Sequence, residues 1–182
     1  MSRPTHLLRH EHRVIGQAMH ALEGMCIRMR AGSSVPDEDL TKMLDFIRNF
    51  ADGFHHAKEE TYLFPALEKI GIEEENGPLA FLRSEHRTER RLLSELEREV
   101  YEYRHNHATC EKFVSAALQF KDHLIGHMQH EDAILFRLAE ELLDDHTKGS
   151  LIRAFNREDT KAHEMAQRYE QIAKELEKAW AI

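Results

Sequence analysis

The amino-acid sequence predicts an all-α protein, an antiparallel up-down-up-down four-helix bundle followed by an additional C-terminal helix. Three observations support this fold class. Apolar residues recur with the 3.6-residue period of amphipathic helices along most of the chain, Gly and Pro are scarce at 8 and 4 of 182 residues, and no stretch alternates as a strand does. We divide the chain into a bundle over residues 1–146 and a C-terminal helix over residues 147–182.

Turn signals separate the first two helices. Helix A extends over about residues 5–30 and stops at the Gly- and Ser-containing segment 31–36. Helix B extends over about residues 36–70, with its initial proline suited to a first turn. Pro65 lies inside helix B and should kink or fray it, because proline has no N–H to donate. Gly71 is the predicted C-cap of helix B.

Three further helices follow. Helix C extends over about residues 78–105, with a proline near its start. Thr109 is the predicted N-cap of helix D, which continues to about residue 144. Helix E is predicted as one helix over about residues 150–179. Its apolar stripe should pack on the bundle, with a dimer interface as the alternative.

One pattern of potential metal ligands occurs twice in the chain. The two copies are Glu11-His12-Arg13 with His55/Glu59, and Glu85-His86-Arg87 with His127/Glu131. Each His-x-x-x-Glu motif places an imidazole and a carboxylate one turn apart on the same helix face. The repeat therefore predicts two helical hairpins that each supply half of a two-metal site.

The positions of the turns test whether these ligands can meet. Residues in an antiparallel hairpin are level when the turn lies midway between them. The midpoint between the ligands of successive helices falls inside a predicted turn in all three cases, within residues 31–36, at Gly71 and within residues 105–109. Helix geometry and short connections therefore bring all four helices' ligands to one layer.

The predicted metal ligands are His12, His55, Glu59, His86, His127 and Glu131. Four imidazoles and two carboxylates suit a pair of first-row ions, since each carboxylate has two oxygens and can bridge. Nitrogen and oxygen ligands without thiolate favour iron or manganese, with zinc also possible. Positions remain for an oxo or hydroxo group or a small substrate. Two alternatives stay open: the shifted pair His56/Glu60 competes with His55/Glu59, and His123 is one turn before His127.

At these residues the chain resembles the hemerythrin family in its broad bacterial form, the HHE cation-binding domain. The resembling segments are residues 8–13 (Leu-Arg-His-Glu-His-Arg), 55–65 (His-His-Ala-Lys-Glu-Glu-Thr-Tyr-Leu-Phe-Pro), 84–87 and 127–131, within a match over about residues 5–145. The resemblance implies a four-helix bundle that encloses a carboxylate-bridged non-haem di-iron centre held by the six ligands above.

The chain departs from the oxygen-carrying members of that family. Arg90 stands where a second histidine of helix C is expected, and helix D carries His-x-x-x-Glu instead of the aspartate spacing. The resemblance therefore favours chemistry with oxygen, peroxide or nitric oxide over reversible oxygen carriage. Three classes of function remain: a redox enzyme that consumes a small oxidant, a carrier or sensor of oxygen, nitric oxide or iron, and an iron-handling or structural metal protein.

The composition of the chain limits the classes of partner that it is expected to bind. The net charge of −8 argues against nucleic acid, because phosphate binding needs a basic surface. No apolar run approaches the length of a membrane span. Cys26 and Cys110 are interpreted as small apolar side chains and not as a disulfide framework, which favours a reducing, cytoplasmic setting. The predicted partners are a small diatomic or peroxide ligand and, through helix E, a second copy of the chain.

Overall fold

The computed structural model describes residues 3–73, 75–107 and 110–182, and these residues form helices and turns without a strand. The α-helices are α1 (Thr5–Arg30), α2 (Asp37–Phe46), α3 (Phe64–Glu68), α4 (Pro78–His105), α5 (Cys110–His130), α6 (Phe136–Leu142), α7 (Asp145–Lys161) and α8 (His163–Trp180). The π-helical segments are π1 (Ile47–His56), π2 (Glu59–Leu63) and π3 (Glu131–Leu135). The predicted all-α class is confirmed, whereas the predicted N-cap Thr109 lies outside the described residues.

Four rods make up the bundle: α1, the rod α2–π1–π2–α3, α4, and the rod α5–π3–α6. The first and last of these rods are antiparallel, as ion pairs between the start of one rod and the end of the other show. Arg3 near the start of α1 pairs with Glu140 in α6 at 2.7 Å, and Arg30 at the end of α1 pairs with Glu111 at the start of α5 at 3.3 Å.

The second and third rods are antiparallel in the same way. Arg83 early in α4 pairs with Glu68 at the end of α3 at 2.6 Å. Arg104 at the end of α4 donates to the Asp37 carbonyl oxygen at the start of α2, at 2.8 Å. The second and third rods, which the turn at Gly71 connects, therefore run in opposite directions along one another.

Two glycines end helices where the sequence placed turns. Gly71 has φ +91°, its N–H donates to the Glu68 carbonyl oxygen at 2.9 Å, and the Ile72 N–H donates to the Leu67 carbonyl oxygen at 3.2 Å. This is the Schellman arrangement, which needs a left-handed residue. Gly32, with φ +87°, ends α1 at the first predicted turn. The predicted C-cap at Gly71 is confirmed.

The disturbance predicted in helix B is a change of helix type. π2 ends at Leu63 and α3 begins at Phe64, so Pro65 lies in the first turn of α3. A proline is tolerated in the first turn of an α-helix, because the N–H that it lacks would have no partner within that helix. The π-helical segments are the part that the sequence did not predict, since helix B and helix D were each expected to be α-helical throughout.

The core consists of two apolar clusters, one on each side of the ligand layer. The larger contains buried residues of α1, α2, π1, α4, α5 and α8. The smaller contains Leu63, Phe64, Leu135 and Phe136, all fully buried. These four side chains form a dry packing layer beside the site.

The prediction of a single C-terminal helix over residues 150–179 is wrong. The structure has α7 and α8, which meet at Ala162 with φ −103° and ψ 14°. Asp144 begins α7 two residues past the end of α6, and its side chain accepts from the Thr147 N–H at 2.7 Å. This cap satisfies a free N–H and fixes the new helix direction.

Helix α8 packs along α1. The backbones meet at Gly24, where an added Cβ would lie 1.8 Å from the Trp180 carbonyl oxygen. The Trp180 indole donates to Asp39 at 2.9 Å, which also ties the end of α8 to α2. The division of the chain at residue 146, the homodimer and the cytoplasmic location stay predictions. Among the residues described, no helix has the length and apolar character needed to cross a membrane.

Candidate metal centre

The six predicted ligands lie in one layer across the bundle. They are His12 in α1, His55 in π1, Glu59 in π2, His86 in α4, His127 in α5 and Glu131 in π3. Five of the six side chains have no exposed surface, and His12 is 7% exposed. The six side chains therefore meet in one layer, as the turn midpoints predicted, and their role as metal ligands stays a prediction.

Two histidines from the first hairpin form one pocket. The Nε2 atoms of His12 and His55 are 3.0 Å apart. Glu131 Oε2 lies 3.1 Å from His12 Nε2 and 3.9 Å from His55 Nε2. Glu59 Oε1 lies 3.8 Å from His55 Nε2. One donor atom from each of these four residues lies within 4.8 Å of the other three, close enough to surround a single ion.

Two histidines from the second hairpin form the other pocket. The Nε2 atoms of His86 and His127 are 3.1 Å apart. Glu131 Oε1 lies 3.3 Å from His127 Nε2 and 3.7 Å from His86 Nε2. Glu59 Oε2 lies 3.6 Å from His86 Nε2. One donor atom from each of these four residues again lies within 4.8 Å of the other three.

Both carboxylates face both pockets. Glu59 directs Oε1 to the first histidine pair and Oε2 to the second, and Glu131 does the same with its oxygens exchanged. Neither oxygen of Glu59 has a hydrogen-bond partner among the described residues, nor does Oε1 of Glu131. Burying a carboxylate without partners is costly. A cation in each pocket would satisfy these oxygens, so the residues fit a carboxylate-bridged metal pair.

The outer nitrogens of two ligand histidines donate to glutamates one residue before a ligand. His55 Nδ1 is 2.9 Å from Glu11 Oε2, and His127 Nδ1 is 3.1 Å from Glu85 Oε2. A proton held on Nδ1 leaves the lone pair of Nε2 directed into the pocket. These carboxylates therefore fix the tautomer and the orientation of each ring.

The other two ligand histidines meet acidic residues one position after a ligand. His86 Nδ1 is 2.7 Å from Glu60 Oε1, and His12 Nδ1 is 3.4 Å from Asp132 Oδ1. Glu60, which the sequence left open as half of the competing pair with His56, is instead an acceptor for His86. The roles of Glu11, Glu85 and Asp132 were missed. The signal that carried them is an acidic residue repeated in both copies of the motif, before His12 and His86 and after Glu59 and Glu131.

The rings of two ligand histidines are also held by phenylalanines. Phe136 stacks on His12, with ring centroids 5.2 Å apart and planes 25° apart. Phe64 stacks on His86 at 5.7 Å and 17°. The two contacts are related by the sequence repeat, and they place the smaller apolar cluster directly against both pockets.

The layer binds protons in the absence of metal. Burial, together with the neighbouring Glu131, raises the pKa of Glu59 well above its ordinary value. Burial would lower the pKa of His127, but Glu131 and Glu85 outweigh it and raise that pKa to about 10. Burial would raise the pKa of Glu131, yet the surrounding histidines hold that pKa well below its ordinary value. A cation must therefore displace protons from Glu59 and His127.

The competing pair His56/Glu60 does not form. Glu60 accepts from His86, while the His56 ring stacks on the His86 ring at 4.1 Å and 20°. The nitrogen lone pairs of stacked rings point along parallel planes, so the two rings do not converge on one ion, although His56, His86 and His127 lie close together. His123 lies 3.4 Å from the Glu85 carbonyl oxygen and is in neither pocket.

Two buried charged residues beside the layer were not singled out by the sequence. Glu89 is 3% exposed, and burial raises its pKa to about 7. Lys58 is 2% exposed and donates to Glu11. Glu89 lies outside both copies of the repeated motif, so the pattern did not indicate it. Lys58 lies inside the repeated segment, immediately before a ligand, but a lysine on a helix is ordinarily solvated.

The fold and the site define an all-helical bundle with a buried pocket pair able to hold cations, formed by two copies of one hairpin motif. The family profile described as hemerythrin HHE cation binding domain matches residues 3–108 and again residues 78–182. The chain belongs to this family. The two matches begin at the first helix of each hairpin, which reproduces the internal repeat. Comparison with curated proteins and with solved structures gave no match.

Proposed function

We propose that the chain is a non-haem di-iron protein that binds or reacts with a small oxidant, namely oxygen, peroxide or nitric oxide. The observation that carries this proposal is the bridging position of Glu59 and Glu131, each with one oxygen toward each histidine pair. Imidazole and carboxylate donors without a thiolate suit iron. The proposed ligands are the six residues of the layer.

The donor set supports an open site. Each pocket offers two imidazole nitrogens and one oxygen from each carboxylate, which is fewer donors than iron takes in octahedral surroundings. With iron bound, the pair would offer an open coordination position and could give one electron from each ion to a small oxidant. The protein supplies no nucleophile in this layer, since its donors are all directed at the metal positions.

The surroundings of the layer restrict what reaches it. A surface groove of about 340 Å³ is lined by Arg9, His12, Arg13, Met128 and Asp132, with two further residues of α5. His12 is the ligand with exposed surface, so the groove leads to the first pocket. The guanidinium of Arg9 donates to Asp132 at 2.6 Å across this groove. Diatomic molecules and peroxide are small enough for such an approach.

The chain's own residues hold the site through a change in metal charge. Glu11, Glu60 and Glu85 accept from the Nδ1 atoms of three ligand histidines. These contacts fix the rings, and Phe64 and Phe136 exclude water from one side of the layer. Positioned rings and a dry side favour retention of the metal when its charge changes.

Anaerobic loading with iron(II) tests the proposal. Iron and protein are quantified in one sample, and the optical spectrum is recorded before and after oxygen, peroxide or nitric oxide is added. The expected result is about two irons per chain and new near-ultraviolet charge-transfer bands after oxidation. No bound iron and no new bands would overturn the proposal.

The same experiment separates the classes of function. Reversal of the spectral change when the oxidant is removed supports a carrier or sensor. Repeated turnover with a reductant supports a redox enzyme. Equal uptake of zinc, with unfolding as the main effect of metal removal, supports a structural or iron-handling role.

A further inference from the structure

The two halves of the ligand layer differ at one pair of equivalent positions. Lys58 immediately precedes the bridging Glu59, and His130 immediately precedes the bridging Glu131. Both side chains contact the glutamate that accepts from a ligand histidine of their own hairpin. The two positions are therefore equivalent in the repeat but differ in chemistry, with a lysine amine in one half and an imidazole in the other.

Lys58 is enclosed on all sides. It is 2% exposed, its Nζ donates to Glu11, and it donates to Asp159 of α7 at 2.8 Å. The Nζ atom also lies 3.9 Å from the ring centroid of Phe54. An ammonium so far from water is stable only with such partners. Its position is therefore fixed by two carboxylates and an aromatic face.

Glu11 connects Lys58 to the ligand layer, because it contacts both Lys58 and His55. One of its oxygens accepts from Lys58, and the other accepts from His55 Nδ1 at 2.9 Å. A continuous chain of charge-assisted contacts thus links α7, through Asp159 and Lys58, to a ligand of the first pocket. Such contacts are stronger and more directional than neutral hydrogen bonds.

The second half has no comparable anchor. His130 Nδ1 lies 3.0 Å from Glu85 Oε1, but the His130 side chain is 46% exposed. Its ring packs edge-on against Phe81 at 5.2 Å, and Phe81 is itself exposed. Water competes for this contact, so Glu85 keeps more of its negative charge for His127 than Glu11 keeps for His55.

We propose that Lys58 is a positioning residue that makes the two metal pockets inequivalent. By holding Glu11, it fixes the His55 ring and weakens the donation of charge from Glu11 to that ring. This inference rests on the proposed two-metal function. It implies that the pocket of His12 and His55 is the more rigid of the two, and that an iron there is reduced first, because a buried positive charge favours the lower metal charge.

Cobalt(II) titration of the metal-free protein tests the positioning role without any activity. The d–d absorption bands report each binding step. In Lys58→Met, one of the two steps should weaken by about 10–100-fold, the usual effect of losing the support of a ligand. The other step should stay close to the wild-type value. Lys58→Gln keeps a donor to Glu11 and should lie between wild type and Lys58→Met.

His130→Gln is the matched control in the other half. Since the His130 contact is half exposed, both cobalt affinities should stay within about threefold of wild type. The electronic effect is measured separately, by spectroelectrochemistry of the iron-loaded protein. The higher of the two reduction potentials should fall in Lys58→Met and should stay in place in His130→Gln.

The outcomes are distinct. A wild-type chain that binds fewer than two cobalt ions overturns the two-metal function and this inference with it. Two ions in wild type, with unchanged affinities and potentials in folded Lys58→Met, overturn the inference alone. If Lys58→Met does not fold, Lys58→Gln decides on the same criteria, and helicity by circular dichroism shows which variant is to be used.

Discussion

The replacement Glu59→Gln removes one bridging charge while it keeps the shape of the side chain. In metal-free protein, burial and the neighbouring Glu131 hold the pKa of Glu59 well above its ordinary value. Its carboxyl therefore keeps a proton to higher pH than a free glutamate, and an amide is a close copy of that form. The free energy of unfolding of the metal-free variant should change by less than about 1 kcal/mol.

With metal bound, the same change should be large. Glu59 directs one oxygen to each histidine pair, so the amide removes the anionic bridge and leaves one neutral oxygen for one pocket and no donor for the other. A 100-fold loss of affinity removes about 2.7 kcal/mol of stabilisation per site. In a domain of this size, 1 kcal/mol moves Tm by about 2–4 °C. Metal should therefore raise the Tm of the variant by about 5–10 °C less, per site, than it raises the Tm of wild type.

Thermal unfolding of metal-free and anaerobic iron(II)-loaded samples measures both effects. Glu60→Gln is the control, because Glu60 is partly exposed and acts on the site through His86 alone, at 2.7 Å. The metal-induced rise in Tm should be reduced less in Glu60→Gln than in Glu59→Gln. A Glu59→Gln variant that gains as many degrees from metal as wild type would refute the bridging geometry. A metal-free variant that melts far below wild type would refute the argument from its pKa.

Three further predictions concern the site and the C-terminal helix. His127→Ala should abolish binding of at least one iron, and undiminished iron content in the purified variant would contradict the ligand assignment. Burial opposes protonation of His127, but Glu131 raises its pKa from 6.5 to about 10. Folding therefore favours the protonated ring, so the metal-free protein should lose stability as pH rises from about 6.5 through 10, and denaturant unfolding that showed a gain would contradict this. Gly24→Ala should cost about 1–3 kcal/mol, because its Cβ would lie 1.8 Å from the Trp180 carbonyl oxygen, whereas Gly16→Ala, with open space beside it, should be neutral or stabilising in a thermal melt.

The ligand layer could be predicted because it depends on distances along the chain. Helix rise and the places of three turns decide which residues are level, and both can be counted in a sequence. The glycines that end the helices, Gly32 and Gly71, are also visible, since few other residues adopt a positive φ. Counting along the chain is therefore enough to place the four ligand histidines at one height in the bundle.

The rest depends on how each helix is rotated and how closely the helices approach. The pairing of Glu11 with His55 joins different rods, and no spacing within one helix encodes it. The burial of Lys58 requires Asp159 from α7, about a hundred residues away in sequence. The break at Ala162 was missed for a similar reason, because the apolar period continues through it while the backbone turns.

The position of the two carboxylates has a consequence for how the chain assembles. Each pocket takes both histidines from one hairpin and a carboxylate from each of the two. A hairpin expressed alone, residues 3–73 or residues 75–182, therefore has three of the four donors of its pocket. Two such fragments should recombine more tightly with metal than without it.

In this sense the layer behaves as an interface between two half-proteins joined by a short connection. Opening the chain between Ile72 and Pro78, with the original ends linked, leaves every ligand contact within the bundle intact. Metal uptake by such a permuted or split chain reports docking of the halves, while helicity reports folding of each half. The two quantities can then be followed as separate events along one assembly pathway.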